Sequence, residues 1–195
     1  NIVEFQNINF KYFGMEELFF NNLSLKIKKN KHVVITGPNG SGKSTLLGLI
    51  SGVLTPVSGK IVLGTKKIGY VGVKPLIVEG TLLENLLYGN KLDVDKEKIY
   101  ELIDIFDLFQ EDNKVNLDTL INNESLSSGQ FQKIAFIRAL LADVELLILD
   151  ESTSNLDEIS RNKIINYLNK KDITIINSTH NKEIFDYDLE IKIHL

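Results

Sequence analysis

One stretch, residues 37–45, constrains the fold of this chain more than any other. It reads Gly-Pro-Asn-Gly-Ser-Gly-Lys-Ser-Thr and fits G-x-x-x-x-G-K-[ST], the pattern of a phosphate-binding loop. The β-branched run at residues 31–36 predicts a buried strand before it, and the apolar residues 46–50 predict a helix after it. An incidental glycine-rich turn is the weaker interpretation, because strand, turn and helix together are the context that the motif requires.

The residue types in this loop suit phosphate chemistry. Glycines allow positive φ angles, so that successive N–H groups can point into one concavity at a helix N-terminus that carries partial positive charge. Lys43 is expected to reach the β- and γ-phosphates, and Ser44 is expected to be a Mg²⁺ ligand. The chain is therefore predicted to bind a nucleoside triphosphate. The candidate nucleotide-binding residues here are Gly37, Asn39, Gly40, Ser41, Gly42, Lys43, Ser44 and Thr45.

Composition excludes several classes of protein. The chain has 195 residues, with 22 Lys and Arg against 26 Asp and Glu, so nucleic acid is not expected as its main partner. It has no cysteine, which excludes disulfides and thiolate chemistry. No run of about 18 apolar residues is present that could span a membrane. Because the chain begins with Asn1, we expect it to be a domain of a longer protein.

Hydrophobic patterning predicts an α/β fold with a mainly parallel sheet. Residues 2–10 and 23–27 alternate apolar and polar residues, which is typical of half-buried strands in an antiparallel layer. The continuous apolar runs at 146–149 and 173–176 predict parallel strands buried on both faces, connected by a helix at about 158–169. The acidic, helical stretch 74–125 is predicted to be a subdomain.

Two acidic residues directly follow a predicted buried strand. Ligands of open α/β sheets bind at the carboxyl ends of the strands, so Asp150 and Glu151 are expected to face the phosphates. One carboxylate could hold Mg²⁺ and the other could polarise an attacking water. The alternative, that they only terminate a strand at the surface, is less favoured beside a phosphate-binding loop.

The segment Leu126-Ser127-Ser128-Gly129-Gln130 precedes a predicted helix. Its N–H groups and hydroxyls could form a second anion site at the helix N-terminus. Ordinary N-capping by Ser127 or Ser128 explains the same residues and, from the chemistry alone, is the better explanation.

Taken together, these motifs resemble the nucleotide-binding domain of ABC ATPases over essentially the whole chain. The Walker A motif is Gly37–Thr45, the signature is Leu126–Gln130 with Ser128 in place of a glycine, the Walker B motif is Leu146–Asp150 followed by Glu151, the D-loop is Ser154–Asp157, and the switch histidine is His180. Tyr12 lies where the family has an aromatic residue that stacks on adenine. The resemblance implies a P-loop NTPase (RecA-like) core formed by residues 1–73 and 126–195.

The resemblance also implies a mechanism. Two such domains, identical or different, pair head to tail around two ATP molecules, each held between one P-loop and the partner's signature residues Ser127–Gln130. In this scheme Lys43, Glu151 and His180 have catalytic roles, Ser44 and Asp150 hold Mg²⁺, and Asp157 communicates across the dimer. Phosphoryl transfer of this kind depends on positioning and charge stabilisation.

One position departs from the family pattern. The segment Tyr70-Val71-Gly72-Val73-Lys74-Pro75 places Val73 where the family usually has glutamine. Valine has no oxygen for Mg²⁺ or for the attacking water. We therefore expect ATP binding with slow hydrolysis.

Two segments resemble exporter-type domains. Residues 80–89 resemble the segment on which a coupling helix docks, and Leu117-Asp118-Thr119 also fits the exporter pattern. The leading hypothesis is thus the ATPase domain of a membrane exporter, located on the cytoplasmic side of the membrane, with a transmembrane domain as its partner. The alternatives are a soluble ABC ATPase that acts on ribosomes or DNA, and a regulatory nucleotide-binding subunit with little turnover.

Overall fold

The computed structural model describes residues 1–90, 94–109, 115–179 and 185–193. Within them the strands are β1 Val3–Phe10, β2 Phe20–Ile27, β3 His32–Thr36, β4 Ser58–Leu63, β5 Ile68–Val71, β6 Gly80–Thr81, β7 Leu120–Ile121, β8 Leu146–Asp150, β9 Thr174–Ser178 and β10 Leu189–Lys192. The helices are α1 Lys43–Ser51, α2 Leu82–Leu87, α3 Lys96–Phe106, α4 Ser128–Leu141 and α5 Glu158–Asn169. No helix within the described ranges has both the length and the apolar character needed to cross a membrane.

The strands form a five-stranded sheet and two smaller antiparallel ones. The large sheet has the order β10-β3-β9-β8-β5, and the pairs β10–β3, β3–β9 and β9–β8 are parallel. A second sheet has the order β2-β1-β4 with antiparallel pairing, and β6 pairs antiparallel with β7. The predicted α/β fold with a mainly parallel sheet and an antiparallel β layer is therefore confirmed.

The chain divides into two compact units. The first contains Asn1–Tyr70, Glu145–Asp150 and Asp172–Leu195, and the second contains Val71–Val144 and Glu151–Lys171. The predicted subdomain 74–125 lies within the second unit, which also takes in α4 and α5. The boundaries of a core at 1–73 and 126–195 stay a prediction.

The core of the first unit holds the helix that follows the phosphate-binding loop. On β1, Val3, Phe5 and Ile8 are buried, and on α1 Leu47 and Ile50 are fully buried in the same apolar cluster. Burying one such side chain stabilises the fold by about 1.5–3 kcal/mol. This packing fixes α1, and with it the loop that precedes the helix.

In the second unit, α3 packs through an aromatic cluster. The ring of Phe106 makes edge-to-face contacts with Phe136 on α4 and Tyr167 on α5, at centroid distances of 6.5 and 5.5 Å. Helical spacing in the sequence predicts an α3 that continues to Phe109, but the helix ends at Phe106. It ends there because Asp107 adopts a left-handed conformation, with φ 51°, as the C-cap.

Candidate nucleotide-binding site

The phosphate-binding loop leads from β3 into α1 with glycines at its sharpest turns. Gly40 and Gly42 have φ angles of 80° and 99°, a region that favours glycine. Gly42 is the N-cap of α1, and a Cβ there would lie 2.5 Å from the Phe19 ring. The loop conformation thus depends on glycine both for its backbone angle and for the close approach of an aromatic ring.

Lys43 is the first residue of α1 and is buried. Its Nζ donates hydrogen bonds to the carbonyl oxygens of Gly37 and Pro38, at 3.0 and 3.1 Å. An ammonium group has three donors, so these two bonds fix its position within the loop and leave capacity for a further acceptor. In the same loop the hydroxyl of Ser41 is buried and has no hydrogen-bond partner among the described residues. A bound phosphate would supply acceptors for both groups.

Asp150, at the end of β8, lies next to the loop within the first unit. Its Oδ1 accepts a hydrogen bond from the Ser44 hydroxyl at 3.3 Å. These two oxygens suit Mg²⁺, which prefers oxygen ligands and takes only one or two protein groups besides phosphate and water. The described part of the chain has no group of three or more His, Cys, Asp or Glu residues that could hold a metal.

Tyr70, on β5, is a site residue that the sequence did not predict. Its hydroxyl donates a hydrogen bond to Oδ2 of Asp150 at 3.0 Å. Burial, together with the charge of Asp150 and this hydrogen bond, raises the pKa of the Tyr70 phenol well above its usual range. Both oxygens of the Asp150 carboxylate therefore have a partner in the first unit.

Tyr12, the predicted adenine-stacking residue, also contacts the loop. Its hydroxyl lies 2.6 Å from Oγ1 of Thr45. The ring is half-exposed and makes edge-to-face contacts with Phe10 and Phe19, at 5.0 and 5.5 Å. The structure thus places Tyr12 beside the phosphate-binding loop, and its stacking on adenine stays a prediction.

The signature residues begin α4 in the second unit. Ser127 is the N-cap: its hydroxyl accepts a hydrogen bond from Gln130 N at 3.2 Å, and Gln130 Oε1 accepts one from Ser127 N at 2.8 Å. Ser128 and Gly129 form the first turn. The N-capping that the chemistry favours is confirmed. Contact of these residues with a partner's ATP stays a prediction.

Glu151 follows Asp150 in a strained conformation. Its φ angle is 48°, in the left-handed region that a glutamate rarely adopts. Its carbonyl oxygen accepts hydrogen bonds from Ser154 N and Ser154 Oγ, at 3.2 and 2.9 Å, which hold the turn. Such strain persists only where the surrounding contacts enforce it, and it is most common at functional sites.

Val73 and Asp157 also lie in the second unit. The Val73 side chain is 39% exposed, and its carbonyl accepts a hydrogen bond from Asn155 Nδ2 at 3.4 Å. Asp157 is the N-cap of α5 and accepts a hydrogen bond from Ser160 N at 2.8 Å. Hydrogen bonds from Ser160 lower the pKa of Asp157. Asp157 therefore has a structural role besides its predicted one across a dimer.

Within the first unit the structure brings together Tyr12, Lys43, Ser44 and Asp150. The second unit holds Glu151, Asp157 and the signature residues, and His180 lies outside the described residues. The sequence did not predict Tyr70, because its partner Asp150 lies 80 residues further along the chain. A tyrosine three positions before the usual glutamine site is a weak signal.

The chain is an α/β P-loop nucleotide-binding protein. Its parallel sheet is buried, and its phosphate-binding loop, Lys43 and the Asp150 carboxylate suit a bound nucleotide. The family model described as "ABC transporter" matches residues 20–154. The chain belongs to the ABC transporter family, as an ATP-binding domain.

Curated relatives include proteins named for transport and for import. The lactococcin-A transport/processing ATP-binding protein LcnC of Lactococcus lactis subsp. lactis is 36% identical over 190 residues, 89% of this chain and 26% of its own length. The zinc import ATP-binding protein ZnuC of Rickettsia bellii is 38% identical over 191 residues, 92% of this chain and 76% of its own length. The chain therefore spans about a quarter of LcnC but most of ZnuC.

A solved structure shares the fold. It is described as a bacterial Atm1-family ABC exporter with ATP bound, and it matches with a TM-score of 0.86 and 23% identity over 98% of this chain and 37% of that chain. At this identity the likeness supports the fold and nothing further.

Proposed function

We propose that this domain binds and hydrolyses Mg-ATP to power a membrane transporter of the export type. The observation that carries the proposal is the contact between Ser44 Oγ and Asp150 Oδ1, 3.3 Å, beside the buried Lys43. Together these groups supply a phosphate-binding cation and two oxygens suited to Mg²⁺. When bound with ATP, Mg²⁺ neutralises charge on the phosphate oxygens.

The chain's own residues would each have a distinct task. Lys43 would donate to the β- and γ-phosphates, and Tyr12 would orient the adenine. Glu151 would polarise the attacking water, and His180 would contact the γ-phosphate. Catalysis by such groups consists mainly of orientation and of stabilising charge in the transition state.

We further propose that the working form is a head-to-tail pair. The family resemblance assigns residues 127–130 to the ATP held by a partner chain, and Asp157 to communication across the pair. The partner could be a second copy of this chain or a related domain. In this assembly, ATP binding brings the domains together and hydrolysis releases them, and the movement drives a transmembrane partner on the cytoplasmic side.

Export is favoured over import by the resemblance of residues 80–89 to exporter domains. Within that segment, Thr81 and Glu84 form a capping box that fixes the start of α2. The name of LcnC refers to transport and processing, and that of the putative export ATP-binding/permease protein RT0691 of Rickettsia typhi refers to export and to a permease. The likeness to ZnuC favours a second candidate, the ATP-binding subunit of an importer.

The full reading frame separates the two candidates. About six apolar spans of about 20 residues upstream of this domain, in the same frame, would support the exporter. A separate permease gene beside a short frame would support the importer.

Turnover measurements test the enzyme itself. We expect slow Mg-ATP hydrolysis by the wild type and almost none by Glu151→Gln or Lys43→Ala. If the wild type were as inactive as Glu151→Gln, the regulatory-subunit alternative would replace the enzyme. Sedimentation of Glu151→Gln with Mg-ATP is expected to show a dimer, and a monomer at saturating nucleotide would contradict the paired model.

A further inference from the structure

The carboxylate of Asp150 is held from two sides within the first unit. Its Oδ1 accepts from the Ser44 hydroxyl at 3.3 Å, and its Oδ2 accepts from the Tyr70 hydroxyl at 3.0 Å. Asp150 itself is only 8% exposed, so water has little access with which to replace either bond. The two contacts together fix which oxygen of Asp150 faces Ser44.

The direction of the Tyr70 bond follows from the chemistry of the two groups. An ionised carboxylate can only accept hydrogen bonds, so the phenol is the donor. Hydrogen bonds to a charged acceptor are stronger than those between neutral groups. Because β5 and β8 are neighbours in the large sheet, the phenol approaches Asp150 from a rigid strand.

We propose that Tyr70 is a positioning residue for Mg-nucleotide: by holding Oδ2 of Asp150, it keeps Oδ1 directed towards Ser44. The inference rests on the proposed function, because it assigns a role within the same site. Groups that orient a metal ligand typically change metal affinity or activity by about 10–100-fold when they are removed.

The test is Tyr70→Phe in the 195-residue chain, which removes one hydroxyl from a side chain that is 48% exposed. Tyr100→Phe is the matched control, since Tyr100 lies on α3 in the second unit and is 41% exposed. Binding of a fluorescent ATP analogue is measured without metal and across a Mg²⁺ titration, alongside ATP turnover and urea unfolding.

For Tyr70→Phe we expect the half-saturating Mg²⁺ concentration to rise about tenfold, the lower end of the usual range because the phenol is half-exposed. Nucleotide affinity without metal should stay within about twofold of the wild type, and Tyr100→Phe should match the wild type. An unchanged Mg²⁺ requirement would overturn the proposal. So would an equal loss of affinity with and without metal, since that would indicate a general role in folding or binding.

A second variant keeps the result interpretable. In an Asp150→Asn background, Tyr70→Phe should have almost no further effect on the Mg²⁺ requirement, because the carboxylate it orients is gone. Additive effects would overturn the proposal. A wild type that binds Mg-ATP without turnover would contradict the proposed enzyme yet leave the Mg²⁺ titration as the test of Tyr70. Failure of the wild type to bind Mg-ATP would overturn both.

Discussion

The side-chain amide of Gln132 joins two backbone segments by donating to the carbonyl oxygens of Ser152, at 2.6 Å, and Gly72, at 3.0 Å. Gln132 lies on α4 and is completely buried. Gly72 follows β5, and Ser152 follows both β8 and the strained Glu151. Within the second unit, one amide therefore fixes the segments that follow two strands of the sheet.

Replacing Gln132 by Met should destabilise the chain by about 2–3 kcal/mol, because the buried carbonyl oxygen of Ser152 and the part-buried one of Gly72 lose their donor. The loss is moderated because Met also removes Gln132 Oε1, which is buried and has no partner among the described residues. Gln6→Met, at an exposed position of β1, is the matched control and should change the free energy of unfolding by no more than about 0.5 kcal/mol. Urea unfolding measures the stability of both variants. If Gln132→Met were as stable as the wild type, the two hydrogen bonds would contribute nothing to stability.

Val73→Gln should raise Mg-ATP turnover by about tenfold or more, because it introduces the glutamine that the resemblance to ABC ATPases expects at this position. The Val73 side chain is 39% exposed, so the polar replacement should fold normally. Val73→Ala is the control, because it removes the valine side chain without adding an oxygen. If the Gln and Ala variants hydrolyse ATP at the same rate, the slow-turnover explanation is wrong.

Arg138→Lys should cost about 2–3 kcal/mol of unfolding free energy, although the charge is kept. The guanidinium donates from Nε to Asn85 O at 2.8 Å and from Nη1 to Leu76 O at 2.9 Å, and it lies 5.5 Å from the centre of the Tyr88 ring. A lysine cannot reproduce this fork. The control is the opposite exchange, Lys26→Arg, at an exposed position of β2. It should leave the free energy of unfolding nearly unchanged. Thermal unfolding compares the variants, and a neutral Arg138→Lys would contradict the prediction.

Local signals in the sequence account for much of the fold. The helix predicted at about 158–169 is α5, with those bounds, because Asp157 supplies its N-cap and apolar residues recur at helical spacing. Thr81 and Asp95 are likewise N-caps, of α2 and α3, and both are residue types that favour this position. The pairing of β6 with β7 was not predicted, since two-residue strands give no periodic signal.

The site was predictable only in part. Lys43, Ser44 and Asp150 follow from motifs whose residues act through fixed local geometry. Gln132 and Arg138 donate hydrogen bonds to backbone carbonyl groups that lie far away along the chain. Because every residue has such a carbonyl group, the sequence does not indicate which one a side chain will bind. Tyr70 meets Asp150 because β5 and β8 are neighbours, which is a property of the sheet order. Such residues become visible only when the tertiary structure is known.

Asp157→Asn tests the charge of the α5 cap separately from its hydrogen bond. Hydrogen bonds from Ser160 lower the pKa of Asp157 in the folded chain below its ordinary 3.8. A depressed folded-state pKa contributes stability that is present above the unfolded pKa and lost as the pH falls through the folded one. The wild type should therefore exceed Asp157→Asn in stability near pH 6, and the difference should disappear as the pH falls well below 3.8.

Asp157→Ala provides the comparison, since alanine can neither cap nor ionise. Asn is as good an N-cap as Asp, so Asp157→Asn should keep most of the cap, whereas Asp157→Ala should lose about 1 kcal/mol at neutral pH. Urea unfolding of the three proteins from about pH 2 to about pH 7, a range that extends below the ordinary carboxylate pKa of about 3.9, measures both effects. A difference between wild type and Asp157→Asn that stays constant with pH would show that the Asp157 charge does not stabilise α5. Equal stabilities of Asp157→Asn and Asp157→Ala would show that the cap at Asp157 contributes nothing measurable.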